Sequence, residues 1–149
     1  MATRASRRKH TSSRTLPPAP RPPKPPGWER NQQARNVFVV DVPMRQDASW
    51  RHHALVQSDQ HWDSEQCDRA MLKRHLDEAQ DRDASVLFLG DFFDAMQGKH
   101  DKRGSKSAVL SEFNRDDYFD ALADKASEWL CQYARRIVFL GVGNHEAAI

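Results

Sequence analysis

Residues 86–94 read VLFLGDFFD. Four apolar residues run without alternation from Val86 to Leu89, as in a strand buried on both faces of a parallel sheet. Gly90 then lets the backbone turn sharply out of the sheet, and Asp91 stands at the turn. The same grammar recurs on either side. Residues 54–61 read ALVQSDQH and residues 137–146 read IVFLGVGNHE. Each apolar run ends in a short polar phrase containing Asp, His or Asn. Between the three runs lie two stretches of helical periodicity, so the chain alternates strand, helix, strand, helix, strand. That alternation predicts an α/β fold with mainly parallel strands. Ligands of such sheets gather outside the carboxyl ends of the strands, where all three phrases fall.

The helical stretches can be read in more detail. Over residues 67–80, Met71, Leu72, Leu76 and Ala79 form an apolar stripe, with Ser64 and Glu65 as helix-start residues. Over residues 115–134, Phe119, Leu122, Ala126, Trp129, Leu130 and Tyr133 form the apolar face. Asn114 or Asp116 is the expected cap, and Asp116 and Asp117 complement the helix amino terminus. Residues 37–40, VFVV, predict one further strand, followed by a loop from Asp41 to Trp50. Residues 95–113 are polar, with Gly98, Gly104, Lys99, His100, Lys102, Arg103 and Lys106. They predict a loop that is either a solvated face or a means of steering a polyanionic substrate.

Charge divides the chain. Residues 1–30 hold eight of the 23 Lys/Arg but one of the 21 Asp/Glu, so a basic tail precedes a mildly acidic body. Seven of the eight prolines lie between Pro17 and Pro26. This composition cannot bury enough apolar surface to offset its ordering entropy, and residues 1–35 are expected to be a disordered tail. The tail is expected to be a solvated extension or the product of a mispredicted start codon, with a contact for nucleic acid or an SH3-type domain as the functional alternative. Residues 36–149 are expected to form the folded domain. The two cysteines, Cys67 and Cys131, have no partner at metal-ligand spacing. No stretch approaches the roughly 20 apolar residues of a membrane span, and no apolar core of a secretory signal is present. The expectation is a cytoplasmic protein without a membrane partner.

The three phrases share a ligand chemistry. Carboxylate and carbonyl oxygens and imidazole nitrogens are what divalent metals take. Asp59 and His61 are two apart, which in an extended segment directs both to one face and to one cation. Asp91 can bridge two cations about 3.5–4 Å apart. Asn144 offers a neutral oxygen to the second. His145 is then free for proton work, and Asp94 can accept a hydrogen bond from its ring and hold it. The donor mix suits Mn, Fe, Zn or Co better than Ca.

Asp59-x-His61, Gly90-Asp91-x-x-Asp94 and Gly143-Asn144-His145-Glu146 resemble the first three motifs of calcineurin-like metallophosphoesterases, and the Ala95–Lys99 continuation resembles versions from phage and prophage genomes. The resemblance covers roughly residues 54–146. It implies the amino-terminal half of a four-layer α/β sandwich and a dinuclear site that hydrolyses phosphate mono- or diesters. It implies Asp59 and His61 on one metal, Asp91 bridging, Asn144 on the other metal, and His145 at the phosphate or leaving group with Asp94 behind it. The family's later motifs, a further His and a Gly-His-x-His phrase, do not occur in residues 1–149. The expectation is therefore a partial domain with one apolar sheet face uncovered and weak or no activity in isolation. The alternative is a truncated, non-catalytic remnant, or a binding module that uses the basic tail.

Overall fold

The structure, a computed structural model, describes residues 25–95 and 109–148. Three parallel strands form the central sheet: β3 (Ala54–Gln57), β4 (Ser85–Phe88) and β5 (Ile137–Leu140), in the order β3-β4-β5. Leu55 pairs with Val86, and Val86 with Ile137, so β4 is central. Helix α1 (Arg69–Asp81) connects β3 to β4, and helix α2 (Tyr118–Leu130) lies between β4 and β5. The expected alternation and parallel pairing are present.

The helices differ in detail from expectation. Helix α1 starts later than Ser64 and Glu65 suggested. Its cap is Asp68, whose carboxylate accepts the Met71 N–H at 2.8 Å. Leu72, Leu76 and Ala79 are buried, whereas Met71 is 43% exposed and lies outside the core. Helix α2 begins at Tyr118, and neither Asn114 nor Asp116 caps it. The residue preceding it, Asp117, is turned aside to pair with Arg115. After Leu130 the helix tightens into a 3-10 turn, Cys131–Tyr133.

The core lies on one face of the sheet. Val86 and Phe88 point into it and meet Leu72, Leu76 and Ala79 of α1 and Leu122 and Ala126 of α2. Trp62 is buried there too, stacked near Phe92, with the Arg69 guanidinium 3.9 Å over its ring. On the opposite face Val56, Leu87 and Phe139 share a register row, and Val56 is 55% exposed.

The expected tail of residues 1–35 needs correction at its end. Residues 1–24 lie outside the described residues, but Glu29–Ala34 form strand β1. It pairs antiparallel with β2 (Val37–Asp41) through a two-residue turn. The β1 sequence, ERNQQA, is polar and a poor strand former. Its strand state comes from the backbone ladder with β2 and from two anchors. Trp28 is buried, with its indole N–H on the Asp83 carbonyl at 3.2 Å. Arg30 donates to the Val138 carbonyl of β5 at 2.8 Å. Strand β2 therefore belongs to a hairpin beside β5, with Phe38 stacked on Phe139 at 5.7 Å, and not to the parallel sheet. Among the described residues no helix is long and apolar enough to cross a membrane.

Candidate metal centre

The segments that follow β3, β4 and β5 are hydrogen-bonded to one another beyond the sheet. The Gly141 N–H donates to Phe88 O at 2.7 Å and the Leu89 N–H to Gln57 O at 2.8 Å. The first phrase then lies along the second. N–H groups of Asp59, His61 and Trp62 donate to the carbonyls of Gly90, Asp91 and Phe92 at 3.1, 3.2 and 2.7 Å. The third phrase closes on the second through the His145 N–H, which donates to Asp91 Oδ1 at 2.9 Å.

This docking bends the backbone. Asp59, His61, Asp91 and Ala95 all have positive φ, between 46° and 57°. Such values are unfavourable for residues other than glycine and cluster where surrounding structure enforces them. The first phrase is thus not extended, contrary to the argument from two-residue spacing. Asp59 and His61 reach one cleft by alternating backbone conformation. That cleft, about 400 Å³, is lined by Asp59, Gln60, His61, Ser64, Gln66, Cys67 and Asp94.

Two glycines make the close approach feasible. A Cβ on Gly90 would stand 2.8 Å from the Cα of Gly143, and Gly90 has φ of 133°. A Cβ on Gly143 would overlap the carboxylate and amide of Asp91. The glycines of the second and third phrases therefore pack back to back.

The tightest group of donors is His61, Asp94 and His145, whose ligand atoms lie within 4.8 Å of one another. His61 Nδ1 is 2.9 Å from Asp94 Oδ1. His145 Nδ1 is 2.7 Å from the Asp94 carbonyl and 3.3 Å from Oδ1. A carboxylate and a carbonyl only accept, so each Nδ1 carries a proton, and in the neutral ring Nε2 is the nitrogen with the lone pair. The rings meet edge to face with centroids 4.5 Å apart. Asp94, expected behind His145, stands behind His61 as well. Asp59 and Asp91 fall outside this tight group. Asp59 is exposed on the cleft, buried Asp91 spends Oδ1 on the His145 N–H, and Asn144 is exposed.

Two further carboxylates hold the centre, and the sequence reading gave neither a role. Asp63, fully buried, accepts the Asp94 N–H at 2.6 Å, the Ala95 N–H at 3.2 Å and the Tyr118 hydroxyl in a very short bond. Glu146 accepts the N–H groups of Asp91, Phe93 and Gly143 at 3.1, 2.9 and 2.8 Å. Glu146 was visible as the last letter of the third phrase. Asp63 had only its place two residues after His61 to mark it. Burial, followed by the bond to Asp63, pushes the Tyr118 hydroxyl well above its ordinary value of 10.0.

The chemistry of this group fits a divalent cation: ligand atoms of His61, Asp94 and His145 lie within 4.8 Å of one another, and the Asp59 carboxylate shares the cleft with His61 and Asp94. Comparison with profiles of known protein families, with curated proteins and with solved structures finds no match for this chain.

Proposed function

We propose that the chain carries the first three motifs of a calcineurin-like phosphoesterase domain, built on the four-layer sandwich plan, that hydrolyses phosphate mono- or diesters with two divalent metal ions. One observation carries the reading. Three loops from three adjacent parallel strands close on each other, so that His61, Asp94 and His145 pool within 4.8 Å beside Asp59. Isolated polar turns after strands have no reason to converge in this way or to hold positive φ at Asp59, His61 and Asp91.

In this reading His61 would hold a cation through Nε2, with Asp94 behind Nδ1. The carboxylate–histidine–metal arrangement fixes the ring and raises its basicity. Asp59 and Asp91 would supply oxygens, and Asn144 would serve the second ion. Bound cations supply neutralisation of the charge that develops on the phosphoryl oxygens. His145, anchored by Nδ1 on Asp94, keeps Nε2 for proton exchange with the leaving oxygen.

The test is calorimetric titration of the chain with Mn²⁺, alongside an aryl phosphate assay. The wild-type chain is expected to bind, and Asp91→Asn to bind about tenfold more weakly or worse. Equal affinity in Asp91→Asn removes the bridging role. Metal-dependent turnover by the wild-type chain excludes the non-catalytic remnant.

A further inference from the structure

Glu146 lies next to His145, yet its carboxylate does not join the donor group. It reaches back across the loops. Oε2 accepts from the Asp91 N–H at 3.1 Å and from the Gly143 N–H at 2.8 Å, while Oε1 accepts from the Phe93 N–H at 2.9 Å. All three partners are backbone donors. Two belong to the second phrase and one to the third. The return bond, from the His145 N–H to Asp91 Oδ1, closes the loop of contacts. Asp63 holds the other end of the same segment through the Asp94 and Ala95 N–H groups. Four of the five N–H groups of residues 91–95 thus end on two carboxylates.

We infer that Glu146 is a positioning residue for the metal centre, setting the distance between Asp91 and the Asn144–His145 pair by clasping the backbone of both loops. The inference rests on the metal reading above. Three converging donors need an acceptor-only group, and ionised glutamate is one. Glutamine keeps the size but turns an NH₂ towards at least one N–H, and aspartate is one methylene short of the reach. The charge also strengthens each bond to a backbone N–H. Without the clasp the centre is expected to lose cation affinity through geometry alone, since Glu146 contributes no ligand atom to it.

The experiment measures Mn²⁺ affinity by calorimetry for wild type, Glu146→Gln and Glu146→Asp. Backbone amide exchange of the wild-type chain is followed with and without Mn²⁺ by mass spectrometry resolved to single residues, because paramagnetic Mn²⁺ broadens the NMR signals of amides beside it. The expected result is about tenfold or greater weakening in Glu146→Gln, with less loss in Glu146→Asp, the scale seen when partners behind metal ligands are removed. In wild type, the amides of Asp91, Phe93 and Gly143 are expected to be protected together and to gain protection with Mn²⁺. Wild-type affinity in Glu146→Gln overturns the inference. So does free exchange of those three amides in the metal-bound wild type, a measurement that stands even if both variants misfold. If wild type binds no Mn²⁺, the metal reading fails, while joint protection of the three amides would still report the clasp.

Discussion

At the scale of single residues, the candidate site is held by buried carboxylates that face N–H and O–H donors instead of cations. Asp63 is the clearest case. It is inaccessible and joins the first loop to the second and to the first residue of α2, Tyr118. The arrangement predicts an alkaline weakness. The chain has two tyrosines, and both hydroxyls are raised, Tyr118 by burial and Asp63, Tyr133 by burial and Asp77. A group raised in the folded state contributes stability that is complete below its unfolded value and is lost as pH climbs towards the folded one. Native protein is therefore expected to show less tyrosinate absorbance than the unfolded chain as pH passes 10.0, and to lose denaturant stability from there upwards. Tyr118→Phe is expected to make that loss shallower. A native-state titration of both tyrosines at the ordinary value contradicts the argument.

At the scale of elements, the loops after β4 and β5 behave as one unit. Their glycines touch, and the backbone of one accepts no Cβ from the other. Gly143→Ala is expected to cost about 1–3 kcal/mol in urea unfolding, since the obstructing atoms belong to the backbone and carboxylate of Asp91 and cannot swing away. It is also expected to displace Asp91 and so weaken Mn²⁺ binding. Much at this scale was legible. Three apolar runs announced three strands, of which only β4 is buried along most of its length while β3 has no buried residue, and stripes over 67–80 and 115–134 announced two helices, observed as Arg69–Asp81 and Tyr118–Leu130. The helix starts were less so: Asp117 turns to Arg115 and leaves α2 without a side-chain cap, and α1 is capped by Asp68 and not at Ser64 or Glu65. Periodicity reports which face is apolar but not which side-chain hydrogen bond wins at an end.

At the scale of the whole molecule, the amino ends of the strands are tied together as firmly as the carboxyl ends. Asp83, just before β4, binds the Gly27 N–H at 2.9 Å and pairs with buried Arg136, just before β5, while its carbonyl takes the Trp28 indole. Trp28→Ala is expected to cost about 3–5 kcal/mol in equilibrium unfolding, as for other buried tryptophans. An unchanged midpoint would return residues 27–34 to the tail. That stretch was misread because its polar composition carries no burial signal, and its order comes from the Trp28 indole, the Arg30 bond to β5 and a ladder with residues 37–41. What residue order alone determined is the alternation of strands and helices and the placing of Asp59, His61, Asp91, Asn144 and His145 at strand ends, since burial patterns and turn glycines are local. What only the tertiary structure decided is the set of neighbours: Asp94 behind two imidazoles, Asp63 and Glu146 beneath the loops, and β2 in a hairpin beside β5. Those contacts join residues 31 to 55 positions apart or pair strands in a ladder, and no local pattern encodes which distant N–H a carboxylate will meet.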